Sequence, residues 1–357
     1  MTTDCPLIEA VRARVMLRPV HFITVLLALG AALPALGGQL EAVGNDPGLG
    51  RLQAEIGRFA QTAGGTVGVG IHHIETDRQI YLNRDERFPM GSAFKVALAV
   101  QLLTRVDQGM VSLDKIIKLR PGDLRPDSNL VKLYDESRPD WPLHKLLELM
   151  LIDSDNSATD IIWKEAGRSE AVMARLESLG IRGMSVDRPT ALLLASSWGI
   201  EPPPPEDEST PARFRELVRA IPRAKRASAA VAFFKDQRDT ATPEAMLSLL
   251  LKIWRHEAVS PGQSALLLDI MYRCATGKGR LRGLLPPGTK VAHKTGSLLV
   301  GVTNDVGIIS LPSRAGHIAV AVLIKESTKD LRTQERAIAE IARATYDYFA
   351  TDPVGGK

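Results

Sequence analysis

The chain has 357 residues, of which 45% are hydrophobic and 24% are charged, and its formal net charge is +4. This composition fits one or two ordinary globular domains with a sizeable core, and it excludes a disordered chain. The lysines and arginines form no run interleaved with aromatic residues, so a nucleic-acid partner is not expected.

The first predicted element is an export signal over residues 1–38. Three arginines precede an apolar stretch over 22–33, small residues follow it, and Met16 is a second candidate start. The stretch is short for a membrane span, and an uncleaved N-terminal anchor is the alternative. We therefore expect an exported protein, either periplasmic or membrane-anchored through this segment. Cys5 precedes the cleavage point, so the mature chain would retain only Cys274 and no internal disulfide.

The following elements have an α+β order. Alternating apolar and β-branched residues predict strands over 66–74, 78–82, 290–296, 302–311 and 317–324. Helical periodicity predicts helices over 92–109, 142–151, 156–166, 169–178, 242–256 and 331–349. This order indicates a sheet assembled from both chain ends, in an α/β domain over 46–95 and 257–357, with a helical domain over 96–256 inserted between them.

The stretch FPMGSAFKV places Ser92 and Lys95 three residues apart at the start of a helix predicted to be buried on most sides. A serine hydroxyl is a poor nucleophile until a base removes its proton, and a partly desolvated lysine can be that base. This spacing is common by itself and also fits an N-cap serine with a surface lysine. The apolar neighbours Phe94 and Val96 favour the catalytic interpretation, because a lysine between them needs a partner.

A second motif, SDN, follows an apolar helix end. Its Asp155 is expected to cap the next helix. The hydroxyl of Ser154 can pass a proton to a leaving group, and the amide of Asn156 can hold a substrate carbonyl.

A third motif, HKTGS, lies on a predicted strand. Lys294 offers a positive charge, Thr295 and Ser297 offer hydroxyls to a carboxylate, and Gly296 allows a ligand backbone to approach the strand edge. His293 is interpreted as a supporting residue, and the seven histidines show no metal-ligand spacing.

In this order the three motifs resemble the S-x-x-K, S-D-N and K-T-G signatures of the class A serine β-lactamases and related penicillin-binding proteins. The resemblance covers nearly the whole mature chain. It implies an antiparallel sheet flanked by helices with a helical domain inserted, and a serine hydrolase that forms an acyl-enzyme with β-lactams. A β-lactam or a peptidoglycan stem peptide is the implied small-molecule partner, bound by a monomer without cofactor, metal or obligate protein partner.

The resemblance also assigns roles residue by residue. Ser92 becomes the nucleophile, Lys95 a proton acceptor and Ser154 the proton shuttle.

The substrate would be held by Asn156 through its amide and by a wall formed by Lys294, Thr295, Gly296 and Ser297. The backbone N–H groups of the nucleophile and of Ser297 would form the oxyanion hole.

The segment 187–239 resembles an enlarged omega loop that begins at Asp187-Arg188 and is closed by Asp239. In the family, a glutamate two residues after the arginine, followed by a Leu-Asn pair, positions the water that hydrolyses the acyl-enzyme. Here Thr190 stands at the glutamate position and Leu194 at the asparagine position. A threonine hydroxyl is no base near neutral pH, so slow deacylation is expected.

Three interpretations of the missing glutamate stay open. In the first, another carboxylate of the loop is the base, the candidates being Glu201, Glu206, Asp207, Glu208 and Asp236. In the second, Lys95 serves both half-reactions on a peptide substrate, as in D-alanyl-D-alanine peptidases. In the third, the protein is a covalent penicillin-binding sensor.

Within this loop, residues 211–234 have helical character with a break at Pro222, and they carry a basic cluster. A solvated amphipathic insert beside the site is the simplest interpretation. A lid or a docking surface for an anionic polymer is the alternative.

Overall fold

The computed structural model describes residues 40–43, 47–298 and 301–351. Within these residues the strands are β1 (Leu40–Val43), β2 (Thr66–His73), β3 (Arg78–Leu82), β4 (Phe88–Pro89), β5 (Ile116–Lys118), β6 (Asp140–Pro142), β7 (Thr240–Ala241), β8 (Val291–Leu298), β9 (Val302–Ser310) and β10 (His317–Lys325). Six of them form an antiparallel sheet in the order β1-β3-β2-β10-β9-β8. The predicted sheet from both chain ends is confirmed, and β8 lies at one edge.

The helices of the same residues are α1 (Pro47–Thr62), α2 (Lys95–Asp107), α3 (Leu130–Leu133), α4 (Leu143–Ile152), α5 (Asn156–Glu165), α6 (Arg168–Ser178), α7 (Thr190–Trp198), α8 (Pro211–Ala220), α9 (Arg223–Lys235), α10 (Pro243–Trp254), α11 (Pro261–Tyr272) and α12 (Leu331–Thr351). The predicted α+β class with helices between the two groups of strands is confirmed. None of these helices is long and apolar enough to cross a membrane. The predicted export signal lies outside the described residues.

The sheet is covered on both faces, which explains why residues 318–324 of its inner strand β10 are all apolar and buried. Successive side chains of a strand point to opposite faces. Val320 and Val322 therefore pack in one core with α1 and α12, whereas Ala321 and Leu323 pack in the other core with several helices, among them α2, α5 and α10. Burial of both faces fixes the register of β8 and β9 beside β10.

Helix α2 runs through the second core and is buried along almost its whole length. It packs against α5 and α6, and α5 is packed in turn against α4. Apolar side chains on all sides of α2 satisfy this environment. The one strongly polar residue in its first turn is Lys95, which this packing places in the interior.

The two ends of the segment 187–239 are joined by a buried ion pair. Arg188 Nε lies 2.5 Å from Asp239 Oδ2, and both side chains are buried. Between them, α7 and α8 contribute to a small separate apolar cluster that includes Leu194 and Phe214. Helix α7 was not predicted; it forms because the apolar run after Thr190 packs into this cluster and against α5.

Candidate active site

Ser92 lies in a 3₁₀ turn, Gly91–Phe94, between β4 and α2. The turn packs against the edge strand β8. Gly91 has a φ of +50°, and a Cβ atom there would lie 2.8 Å from the backbone nitrogen of Ser297. A side chain would therefore be both strained and crowded, and glycine allows the turn to approach the strand. This approach brings the segment of Ser92 beside the backbone N–H of Ser297.

The other side of the same contact is fixed by Asn304 and Gly296. The Asn304 side-chain amide on β9 donates to the carbonyl oxygens of Pro89 and Met90, both at 2.9 Å. A Cβ atom on Gly296 would lie 2.1 Å from the Met90 carbonyl oxygen. Glycine at position 296 therefore allows Met90, which precedes the turn of Ser92, to approach the strand; the predicted approach of a ligand backbone stays a prediction.

The Lys95 side chain is fully buried and surrounded by acceptors. Its Nζ lies 2.6 Å from the Ser154 carbonyl oxygen, 3.0 Å from Asn156 Oδ1 and 3.3 Å from Ser154 Oγ. Burial, and then the charge of Lys294, hold the pKa of Lys95 well below its ordinary range. This shift favours the neutral amine, whose lone pair can accept a proton.

Ser154 joins the two lysines. Lys294 Nζ donates to Ser154 Oγ at 2.9 Å. Lys95 Nζ lies within hydrogen-bond distance of the same oxygen, so the three side chains form one hydrogen-bonded group. Burial lowers the pKa of Lys294 to about 8, which leaves it mostly charged at neutral pH.

Residues of the SDN motif hold these side chains in position. Asp155 is the N-cap of α5 and accepts from the Ala158 backbone N–H at 2.8 Å, as predicted. It also accepts from Ser128 Oγ at 2.8 Å, which ties α5 to the segment before α3. Asn156 accepts from Lys95 and donates one amide hydrogen to the Pro126 carbonyl oxygen at 2.9 Å. Its second amide hydrogen has no acceptor within the described residues and is available to a ligand.

The substrate-binding residues predicted on β8 are hydrogen-bonded to Arg280 and Thr276, two residues that the sequence did not single out. Arg280 donates from Nη2 to Ser297 Oγ at 2.7 Å and from Nη1 to the Gly296 carbonyl oxygen at 3.1 Å. The hydroxyl oxygens of Thr276 and Thr295 are 2.6 Å apart. Arg280 lies in a segment with several basic residues, so no sequence signal distinguished it. Lys294, Thr295 and Ser297 nevertheless stand on one strand with the positive charge that a carboxylate would need.

Thr190, at the position of the missing glutamate, begins α7. Its backbone N–H donates to Asp160 Oδ1 at 2.6 Å, and its buried hydroxyl oxygen has no hydrogen-bond partner within the described residues. Asp160 Oδ2 accepts from Arg125 Nε at 2.8 Å and from the Ala191 N–H at 3.2 Å. Asp160 therefore caps α7 from the side of α5 and holds this part of the loop in place.

Asp155 and Asp160 are the carboxylates whose charges act on Lys95. Each already accepts several hydrogen bonds, from backbone N–H groups and from Ser128 or Arg125. Both carboxylates are therefore engaged in holding the starts of α5 and α7 in place.

The five acidic residues considered as replacement bases make no hydrogen bond or ion pair with the site within the described residues. Glu206 pairs with Lys164 at 2.7 Å. Asp236 pairs with Arg188 at 2.9 Å and with Arg238 at 2.8 Å. Glu201, Asp207 and Glu208 are exposed. The first interpretation of the missing glutamate therefore has no support from these contacts.

The chain is similar to known proteins over most of its length. The model of the beta-lactamase enzyme family matches residues 51–349. The extended-spectrum beta-lactamase PER-1 of Pseudomonas aeruginosa is 29% identical over 290 residues, covering 79% of this chain and 82% of that protein. The carbapenem-hydrolyzing beta-lactamase KPC of Klebsiella oxytoca is 28% identical over 287 residues, covering 80% and 85%.

Solved structures give the same result. A beta-lactamase from Chitinophaga pinensis has a TM-score of 0.69 at 29% identity, covering 83% of this chain and 98% of that one. An ancestral class A beta-lactamase has a TM-score of 0.67 at 31% identity, covering 83% and 99%.

Proposed function

Because the chain belongs to the beta-lactamase enzyme family, we propose that it hydrolyses β-lactams through an acyl-enzyme formed on Ser92. The observation that carries this proposal is the hydrogen-bonded group of Lys95, Ser154 and Lys294, which lies next to the turn that contains Ser92. A base, a proton shuttle and a fixed cation are the groups that acyl transfer from a β-lactam requires. The relatives and the structural neighbours are named beta-lactamases, and they give no support to a peptidase or a sensor.

The acylation step uses Lys95 as the base. The neutral amine takes the hydroxyl proton of Ser92 while the serine oxygen bonds to the lactam carbonyl carbon. The backbone N–H groups of Ser92 and Ser297 would receive the developing oxyanion, since the turn and the strand approach each other closely at this point. A helix start at Lys95 adds a favourable dipole for this negative charge.

Ring opening uses Ser154. When the carbon–nitrogen bond breaks, the ring nitrogen needs a proton. Lys95 can return the proton through Ser154 Oγ, which lies 3.3 Å from it. Lys294 stabilises the serine oxygen during this transfer and attracts the substrate carboxylate toward Thr295 and Ser297.

Deacylation also depends on Lys95. After ring opening it is again a neutral amine, and it can take a proton from water while the water oxygen bonds to the acyl carbon. Cleavage of the ester then returns a proton to Ser92. Loss of a dedicated carboxylate base costs about 10² to 10⁴ in rate, so we propose that this step limits turnover.

The segment 187–239 is proposed to act as the omega loop that forms the floor of this site, held by Arg188, Asp239 and Asp160. We also propose that the enzyme is exported through its N-terminal segment to the periplasm and acts there as a monomer without a cofactor. N-terminal sequencing of the protein recovered from the periplasm tests the export, and its sedimentation coefficient tests the monomer.

The function is tested by incubating the purified protein with a chromogenic cephalosporin while both colour and intact mass are followed. Many turnovers per enzyme with a transient adduct are expected. The Ser92→Ala variant should form no adduct and no product. A stable adduct with a single stoichiometric burst would contradict a β-lactamase, and release of D-alanine from a pentapeptide would then indicate a peptidase. Absence of any adduct would refute the acyl-enzyme itself.

A further inference from the structure

A cleft with a volume of about 580 Å³ lies between two parts of the chain that take no part in the catalytic steps above. One side of it is the segment 125–132, and the other side is helix α8, within the segment 187–239. Trp198 at the end of α7 also lines it. Small-molecule ligands occupy clefts of a few hundred cubic ångströms. The cleft is therefore large enough for a substituent of a small-molecule substrate.

The segment 125–132 is connected to the candidate active site by hydrogen bonds. The Pro126 carbonyl oxygen accepts from Asn156 at 2.9 Å, and Ser128 Oγ donates to Asp155 Oδ1 at 2.8 Å. Both Pro126 and Ser128 line the cleft. Asn156 is the residue expected to hold the amide of a substrate. The substituent that this amide carries therefore begins beside the cleft.

Part of the lining is apolar. Trp198 and Phe214 pack edge to face, with their ring centroids 5.6 Å apart. Trp198 is half-buried and Phe214 is buried, and Val131 and Val218 extend the apolar surface. An aromatic group of a ligand gains from contact with such a surface, because apolar area leaves water and aromatic rings attract each other.

The rest of the lining carries an excess of positive charge. Arg215 and Arg219 are four residues apart on α8 and therefore share one face of the helix. Together with Lys132 from the other side, they are exposed and make no hydrogen bond or ion pair within the described residues. The exposed carboxylate of the lining is that of Asp127. Three unpaired cations against one carboxylate favour an anionic ligand.

A buried guanidinium group adds a donor that lacks an acceptor. Arg125 lines the cleft and is fully buried. Its Nε donates to Asp160 Oδ2 at 2.8 Å and its Nη1 to the Gly122 carbonyl oxygen at 2.7 Å, whereas its Nη2 has no hydrogen-bond partner within the described residues. Buried polar groups are normally hydrogen-bonded, so this nitrogen needs an acceptor from outside that part of the chain. An anionic ligand is one source of such an acceptor.

We propose that this cleft binds the side chain carried by the amide of the β-lactam, and that Arg215 and Arg219 give the enzyme a preference for side chains that combine an aromatic ring with a carboxylate or sulfonate group. The inference rests on the proposed function, because it names the class of β-lactam that the enzyme acylates fastest. The preference belongs to the segment 187–239, since α8 supplies one side of the cleft and both arginines.

The test uses two penicillins that differ by one carboxylate, benzylpenicillin and its α-carboxy derivative carbenicillin. The second-order rate constant of acylation is measured for each by competition with a fluorescent penicillin. The ratio of the two constants cancels effects on the catalytic groups themselves. In the Arg215→Gln/Arg219→Gln variant, the ratio of carbenicillin to benzylpenicillin should fall by about 3-fold to 10-fold, the size expected for two partly exposed charge pairs.

The matched control is Arg213→Gln/Arg223→Gln, which removes two charges from the same segment outside the cleft. Its ratio should equal that of the unmodified enzyme. Arg215 and Arg219 have no partner to lose within the described residues, so their replacement should not disturb folding. An unchanged ratio in the variant of the cleft, or an equal fall in both variants, would overturn the proposal.

A second measurement does not depend on turnover. The Ser92→Ala protein, which cannot be acylated, is titrated with the same two penicillins in a calorimeter, with and without the substitutions at Arg215 and Arg219. Carbenicillin should bind more tightly than benzylpenicillin, and the substitutions should remove most of the difference. Equal Kd values for the two penicillins would overturn the proposal. Absence of acylation of the unmodified enzyme by any penicillin would instead refute the proposed function, and the titration would still decide whether the cleft binds the anionic side chain.

Discussion

The sharpest prediction concerns Thr190, where a carboxylate can be restored. The Thr190→Glu substitution alone is expected to accelerate deacylation only slightly. Thr190→Glu combined with Asp160→Asn is expected to accelerate it by about 10² or more, toward the gain that a positioned general base gives. The single and double variants should differ because the Asp160 carboxylate lies next to position 190: its Oδ1 is 2.6 Å from the Thr190 backbone nitrogen.

The magnitude follows from the charges near that position. Two carboxylates about 5 Å apart repel by about 3 kcal/mol at an effective dielectric constant of about 20. This repulsion corresponds to a rise of about 2 pKa units for the introduced group, before burial raises it further. In the single variant the new carboxyl group would be largely protonated at neutral pH. Asn at position 160 removes the repulsion, and Arg125, which then loses its partner, can pair with the introduced carboxylate.

The assay is the decay of the acyl-enzyme, followed by intact mass after a pulse of penicillin. Asp160→Asn alone is the matched control and should deacylate no faster than the unmodified enzyme. Equal acceleration in the single and double variants would refute the repulsion argument. If neither variant accelerates decay, position 190 does not face the hydrolytic water. The Tm of each variant identifies loss of folding, because removal of one partner from the buried pair with Arg125 is itself destabilising.

Three further outcomes are expected. Lys95→Ala should reduce the acylation rate by about 10² to 10⁴. In the unmodified enzyme this rate should fall with decreasing pH as Lys95 becomes protonated. An unchanged rate for Lys95→Ala in stopped-flow labelling would exclude Lys95 as the base. Arg280→Ala should raise KM more than it lowers kcat, because the guanidinium group that donates to Ser297 Oγ is lost, and Arg280→Lys should restore KM poorly. KM values equal to that of the unmodified enzyme in steady-state assays would contradict this role. Arg188→Ala should lower the free energy of unfolding in urea by about 3 to 5 kcal/mol, since Asp239 is left buried without its ion-pair partner. A decrease in this free energy below about 1 kcal/mol would show that the pair does not hold the loop.

Much of the site was predictable because its residues stand at short, regular spacings. Ser92 and Lys95 share one face of a helix start, and an apolar neighbourhood around a lysine indicates burial whatever the rest of the fold. The structure places Lys95, Ser154, Asn156 and Lys294 in one hydrogen-bonded group, as the three motifs implied. Their catalytic roles stay predictions until the variants are measured.

Other residues could not be found in this way because their partners are distant in sequence. Asn304 holds the turn of the nucleophile across the sheet edge, and Arg280 reaches Ser297 from a separate turn. Asp160 lies within a helix and gives no local sign that it caps α7. Gly296 shows that something approaches the strand, but its sequence does not show that Met90 is one of the neighbours.

The sequence alone determined the fold class, the order of the motifs and the absence of a glutamate at position 190, because strand and helix periods and short spacings are local properties. Only the tertiary structure decided which other groups lie near position 190 and near Lys95. It shows that the acidic loop residues are engaged elsewhere or exposed, that Asp155 and Asp160 accept hydrogen bonds from neighbouring groups, and that Lys95 is buried within hydrogen-bond distance of Ser154 and Asn156. The availability of a carboxylate depends on its neighbours in space, and the chain order does not specify them.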